Sequence, residues 1–287
     1  MASTKTLPSP VVVPVKITPA NGRFVAWARA QVGALTQIAN IELMVPSNSW
    51  STPMDKWITQ NSISEFPQTQ SLRRGIRTFK PRRSRITKSQ QYAVDNSQEL
   101  IIDFQNEFLN WPHQPIPLYL DIGFGNGVST LAFARAEPES AFLAIDVHTP
   151  GVGDLLSKLH EREITNVRVM ETDAIAVLEN MIRPRSLSGV YTLFPDPWQK
   201  ARHHKRRIVQ QGILDLMHSR LTPGGFWHIA TDWSHYAESI SELFAQPSNT
   251  KKWSRSNQTR PERAVTRYEE RAISEGRAVT DFHFLVN

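Results

Sequence analysis

Four aspartates are the residues of this chain best placed to do chemistry, and each stands at or just past the end of a short apolar run. Asp121 lies in Leu120-Asp121-Ile122-Gly123-Phe124-Gly125-Asn126-Gly127, two residues before the first of three alternate glycines. Glycines so spaced let the backbone turn tightly and approach a ligand where a Cβ would stand in the way. The pattern is G-x-G-x-G, not the G-x-G-x-x-G that seats a pyrophosphate on a helix N-terminus. A carboxylate beside the loop would repel a pyrophosphate but suits a cationic ligand. Asp146 ends Ala144-Ile145-Asp146, where an acid can accept hydrogen bonds from both hydroxyls of a ribose. Asp173, in Glu171-Thr172-Asp173-Ala174, can bond the amino group of an adenine or cap the helix that follows it. Three acids on successive strand ends beside a glycine loop point to a nucleoside cofactor. S-adenosylmethionine, with its amino and sulfonium charges, is the cofactor expected.

Asp196 occupies a different setting, Phe194-Pro195-Asp196-Pro197-Trp198-Gln199-Lys200. Phe194 and Asp196 each precede a proline and are pushed out of the helical region. The prolines fix two further φ angles, so the acid is aimed rather than mobile. The position expected for it is beside the transferred methyl. Directly after come Arg202, His203, His204, Lys205, Arg206 and Arg207, cations suited to a phosphate backbone held over Asp196. The adjacent histidines do not suggest a metal: neighbouring side chains on a helix diverge, and no Cys or H-x-x-x-H spacing supports zinc. A second basic run, Arg73, Arg74, Arg77, Lys80, Arg82, Arg83, Arg85 and Lys88, reads by itself as a solvated surface or flexible tail.

These residues must be positioned by the elements between them. Strands are expected at Leu118–Ile122, Ala141–Val147, Val167–Met170, Gly189–Phe194 and Phe226–Ala230. Helices are expected at Val128–Ala136, Asp154–Glu163, Ala174–Met181, Ile208–Leu221 and Ser234–Phe244. Such alternation through short Gly and Pro turns argues for a mainly parallel sheet with helices on both faces, with ligands beyond the carboxyl ends of the strands. Residues 1–20 are rich in Pro, Val, Ser and Thr and 45–70 are polar with scattered Pro, so residues 1–70 are expected to be a largely disordered N-terminal extension, with a short apolar helix over Phe24–Leu43 and Met54 as an alternative start. Residues 71–287 would form the catalytic domain.

The length of 287 residues allows one large domain with an appendage, and 40% apolar residues suit a globular core. The formal charge of +6 says less than its placement. With no cysteines, disulfides and thiolate metal sites are excluded. No apolar run is long enough to span a bilayer, and no signal peptide is evident. A soluble protein of the reducing cytoplasm is expected.

Five stretches carry a resemblance to the bacterial tRNA (guanine-N7) methyltransferase family: LDIGFGNG, IDVHTPGVG, FPDPWQKARHHKRR, TDWSHYAE and TRPERAVTRYEERA. It covers roughly residues 72–285. The resemblance implies a Rossmann-like class I methyltransferase fold with a seven-stranded sheet, acting on N7 of a guanine in the tRNA variable loop, position 46. It implies that Asp121, Gly123, Gly125, Asp146, Asp173 and Asp196 contact S-adenosylmethionine, with Asp196 also the catalytic acid. Lys200, Asp232, Thr266, Arg267, Tyr268 and Glu269 would contact the substrate, and Arg202 to Arg207 the RNA. The residues themselves leave Asp232 equally readable as a helix N-cap. The family usually has Glu where this chain has Asp121, and often where it has Asp146. A monomer or homodimer without a second subunit type is expected. Competing readings are a methyltransferase with another RNA position or a small amine as target, and a non-catalytic RNA-binding protein; a nicotinamide dehydrogenase is disfavoured by the glycine spacing.

Overall fold

The computed structural model describes residues 16–20, 23–32, 35–42, 77–79, 85–256 and 263–287. The chain divides into two units, Met1–Pro67 and Gln68–Asn287. In the first, strands β1 (Lys16–Ala20), β2 (Arg23–Val32) and β3 (Leu35–Glu42) form an antiparallel sheet in that order. The helix expected over Phe24–Leu43 is therefore corrected to two strands, inside a stretch expected to be irregular. The overlooked signal is two-residue spacing: Asn21-Gly22 separates the partners Ala20 and Arg23, and Gly33-Ala34 separates Val32 and Leu35. Asn-Gly between β-prone runs is a strong hairpin signal. Of the first basic run, Arg73, Arg74, Lys80, Arg82 and Arg83 lie outside the described residues, as does Met54.

The second unit opens with α1 (Lys88–Asp95), closed at its start by a capping box between Thr87 and Gln90. It continues with β4 (Leu118–Ile122), α2 (Val128–Ala136), β5 (Ala141–Asp146), α3 (Thr149–Glu161), β6 (Val167–Glu171), α4 (Ala174–Asn180) and β7 (Leu187–Leu193). Then follow α5 (Gln211–Arg220), β8 (Leu221–Thr231), α6 (Ser234–Ala245), β9 (Trp253–Arg255), α7 (Arg267–Ser274) and β10 (Thr280–Val286). The seven-stranded sheet has the order β6-β5-β4-β7-β8-β10-β9. Its first five strands pair in parallel, and β10 runs antiparallel between β8 and β9. The strand order reverses between β4 and β7, where a doubly wound sheet opens a crevice for ligands.

Burial is nearly continuous along the central strands, as a sheet covered on both faces requires, and successive side chains pack on opposite faces. In β5, Leu143 and Ile145 join a core with Val177 and Leu178 of α4, Leu214 and Met217 of α5 and Tyr236 and Ile240 of α6. Phe142 and Ala144 point the other way, against Leu131 and Phe133 of α2 and Leu155, Leu156 and Leu159 of α3. The four aspartates lie at or just past the carboxyl ends of β4, β5, β6 and β7. Among the described residues no helix is long and apolar enough to cross a membrane.

Candidate active site

The glycine loop between β4 and α2 takes the form its spacing demanded. Gly123, Gly125 and Gly127 all have left-handed φ, between +62° and +75°, which disfavours any residue with a Cβ. Asp146 holds the loop: its Oδ2 accepts from the Gly125 N–H at 2.9 Å, and Oδ1 from those of Val147 and His148 at 2.7 and 3.1 Å. A missed participant is Gly151. Helix α3 starts five residues earlier than expected, with Pro150 in its first turn. A Cβ on Gly151 would lie 2.1 Å from the carbonyl oxygen of Gly125, so only glycine lets the start of α3 rest against the loop.

Two adjoining lobes of one cleft surround this loop. The first is lined by Gly123, Gly125, Asp146, Asp173 and Asp196, with Thr78 and Phe79 closing one side. The second is lined by Asp121, Asn126, Ser129, Thr266, Arg267 and Arg271 among others. They share Gly123, Gly125, His148, Leu193, Phe194 and Tyr268. The cofactor residues expected from the sequence thus converge on one cleft.

The acids differ in environment. Asp121 is 1% exposed and accepts a 2.6 Å hydrogen bond from the Thr130 hydroxyl. Burial pushes its carboxyl up to about 7, against the Thr130 bond, and the neighbouring charge of Asp146 adds to the rise. Burial also raises Asp146 and Asp173, opposed in each by hydrogen bonds from backbone N–H groups. Asp173 caps α4 through Oδ1, which accepts from Ile175 N–H at 3.0 Å, while the residue still lines the first lobe. The cap reading is what the structure shows, and it leaves the residue at the wall of the cleft. Ser129, at the start of α2, has a buried hydroxyl without a hydrogen-bond partner, facing the second lobe.

The loop carrying Asp196 is strained and braced. Phe194 and Trp198 have φ of +52° and +44°, uncommon for residues with side chains. The Phe194 N–H donates to the carbonyl of Ala230 at 2.8 Å, and the Trp198 indole to that of Thr78 at 3.2 Å. Arg207 supplies the main brace. It is 4% exposed, donates from Nε to the Pro197 carbonyl and from Nη1 to Ser239, each at 2.9 Å, and stacks over Tyr236. The expectation that Arg207 contacts RNA is therefore corrected: its guanidinium is spent inside the protein. Lys200, Arg202 and Lys205 are exposed on and beside the 3-10 helix Ala201–Arg206. Arg206 stacks on Trp198. His203 packs edge-on against Trp198, and His204 lies beside His235 with its Nε2 buried and unpaired.

The C-terminal segment completes the cleft. Thr266 caps α7 by accepting from the Glu269 N–H. Tyr268 stands 46% exposed over the cleft, but the Glu269 carboxylate turns inward, 1% exposed and 2.5 Å from Nη1 of buried Arg263. The expected substrate contact by Glu269 is corrected to this internal pair in the structure described. Arg263 also meets Asp281 at 3.1 Å, and Asp281 meets His228 at 3.0 Å. Burial alone would raise the Asp281 carboxyl; the His228 hydrogen bond and the Arg263 charge outweigh it and hold the group below its usual range. Asp232 pairs with Arg277 at 2.8 Å, and α6 has no side-chain cap, so the N-cap reading of Asp232 is excluded. Arg263, Arg277 and Thr130 were not legible in the sequence, because their partners are brought close only by folding. Among the described residues no group of three or more His, Asp or Glu could hold a metal ion.

Strand order, glycine loop and acid-lined cleft define a doubly wound protein built around a nucleoside ligand. Residues 115–282 match the family model described as "Putative methyltransferase". Over 227 residues the chain is 43% identical to the tRNA (guanine-N(7)-)-methyltransferase of Escherichia coli strain UTI89, covering 77% of this chain and 95% of that protein. The proteins of the same name from Escherichia coli K12 and Shigella flexneri are 42% identical over the same shares. Among solved structures, the 16S rRNA methyltransferase KamB matches with a TM-score of 0.42 at 14% identity, over 60% of this chain and 88% of its own. The chain belongs to the tRNA (guanine-N(7)-)-methyltransferase family.

Proposed function

We propose that this chain methylates N7 of a guanine in tRNA, in the variable loop at position 46, with S-adenosylmethionine as donor. Residues 71–287 would carry the activity with residues 1–70 as an appendage, in the cytoplasm, and as a monomer or homodimer. The observation that carries the reading is the meeting of two lobes at Phe194 and Tyr268, with Asp146, Asp173 and Asp196 in one and Asp121 in the other. The names of relatives sharing about 95% of their length with it support the same substrate.

The donor set fits such a cofactor. Three left-handed glycines admit close approach of a ligand, carboxylates on both lobes suit its cationic groups, and the unpaired Ser129 hydroxyl offers a further polar contact. When bound, the cofactor supplies an electrophilic methyl group that guanine N7 takes in line, with positive charge passing from sulfur to the imidazole ring of the base. The N7 lone pair lies in the ring plane and is available without deprotonation. The chain's work is therefore positioning and electrostatics. Asp196, fixed between two prolines, supplies negative charge where cationic charge develops on the base. Asp121, Asp146 and Asp173 hold the cofactor, with Gly123 and Gly125 at its closest approach. Lys200, Asp232, Thr266, Arg267 and Tyr268 hold the substrate nucleotide, and Arg202, Lys205 and Arg206, with His203 and His204, the RNA backbone.

Methylation of bulk unmodified tRNA with labelled cofactor, followed by nucleoside mass analysis, tests the reading. It should yield 7-methylguanosine; any other methylated nucleoside, or none, would overturn it.

A further inference from the structure

Phe194 and Tyr268 are the two phenyl rings common to both lobes of the cleft. Their planes are 20° apart, and their centroids 6.4 Å apart. Phe133 and Tyr191, stacked in the core, are only 4.1 Å apart, and Tyr119 and Phe142 5.1 Å. A flat base between two rings needs about 7 Å, two van der Waals contacts of roughly 3.5 Å each. At 6.4 Å the Phe194 and Tyr268 centroids lie at the wide end of the range for paired rings, so a small outward shift of the half-exposed Tyr268 is needed to admit a base.

We infer that Phe194 and Tyr268 form an aromatic slot that grips the purine being methylated from both faces, and that Arg263 is the positioning residue that sets its width. The inference rests on the methylation reading above and adds how the base is held. Both walls are tied to Arg263. Its guanidinium lies 5.5 Å from the Phe194 ring centroid, and its Nη1 pairs with Glu269, the residue after Tyr268 on α7. The Phe194 wall is fixed by its left-handed φ, by Pro195 and by the bond to Ala230. The Tyr268 wall is half open to solvent, so a base leaving the RNA stack has an edge by which to enter.

The chemistry of the product favours such a slot. N7-methylation leaves the base cationic, and two π faces stabilise a cation between them. Arg263 does not oppose this charge, because Glu269 and Asp281 neutralise it. A buried ion pair is a poor source of stability. A cluster that fixes the spacing of two reacting-site walls has a use independent of stability.

The test compares wild type, Tyr268→Phe, Tyr268→Leu and Arg263→Lys on unmodified tRNA, with cofactor affinity from calorimetry. Tyr268→Phe keeps a ring and should stay within about threefold of wild type. Tyr268→Leu should lose about tenfold to a hundredfold in kcat/KM for tRNA, the range for one stacked base. Cofactor affinity should change less than about threefold. Arg263→Lys keeps the charge but not the planar fork; it should lower kcat more than KM for tRNA. Wild-type kcat/KM in Tyr268→Leu, or a loss lying wholly in cofactor affinity, would overturn the slot and leave the methylation reading standing. Absence of 7-methylguanosine from wild type would overturn that reading itself. Because Tyr268 is exposed, its variants decide the matter even where Arg263→Lys fails to fold.

Discussion

Arg207 donates its Nε to the carbonyl of Pro197 at 2.9 Å, so the last cation of the basic run turns away from solvent and braces the loop that carries Asp196. Beside it, Arg202 and Lys205 remain exposed. One stretch of sequence therefore serves two purposes, and substitutions should separate them.

Arg207→Ala removes the hydrogen bonds to Pro197 and Ser239, the contact with His235 and the stacking on Tyr236, leaving partly buried acceptors without these donors. We expect a loss of about 1–3 kcal/mol of stability together with lower kcat, because Asp196 is then less firmly aimed. Urea denaturation would measure the first. Undiminished stability would show that the brace is dispensable.

Replacing Arg202 and Lys205 together with Ala should leave urea stability within about 0.5 kcal/mol of wild type, as expected for exposed positions. Binding to tRNA should weaken, and the slope of log affinity against log salt should flatten by about 0.7–0.9 for each phosphate that is no longer neutralised. An unaltered slope would mean that neither side chain touches the backbone of the RNA.

Asp196→Ala should cut kcat by a factor of about 10²–10³, the scale for removing one electrostatic partner of a transition state. The cofactor should still bind, through Asp146 and Asp173, though more weakly. Turnover close to wild type would remove Asp196 from the mechanism.

We expect Asp121 to make cofactor affinity depend on pH. Its carboxyl is raised from 3.8 to about 7, so below that pH the ligand-free protein holds a proton there that must leave before the group can face a cation. Affinity should rise as pH increases from 6 to 8, with proton release at the lower end, measurable by calorimetry in buffers of different ionisation heat. Folding follows the opposite sign. Between about pH 4 and 7 the folded state retains a proton that the unfolded state gives up, so this residue lowers stability as pH rises. Asp121→Asn should flatten both trends; pH-independent binding by wild type would exclude this role.

Much of the fold was legible. Leu118–Ile122 and Val128–Ala136 match their expected bounds, because an apolar run closed by glycines and a following helix pattern are purely local signals. The C-terminal strands β9 and β10 were not located, although a seven-stranded sheet was implied by resemblance. Trp253–Arg255 is only three residues long, and its pairing with β10 spans a distance no local pattern records. The acids of the cleft were legible for the same reason as the strands that end in them. What escaped was side-chain direction. Nothing in the run Arg202 to Arg207 distinguishes the residue that turns inward, and Glu269 next to exposed Tyr268 gave no sign of its partner six positions earlier.

The glycine loop is held from three sides. Asp146 already receives the Gly125 N–H, Gly151 abuts the Gly125 carbonyl, and Lys158 donates from Nζ to the carbonyl of Asn126 at 2.7 Å. The loop proposed to receive the nucleoside is thus held in place in advance, and little chain entropy would remain to be surrendered when a ligand arrives. Selectivity between the methyl donor and its demethylated product would then rest on the methyl group and the charge at sulfur, since the remainder of the two molecules is the same.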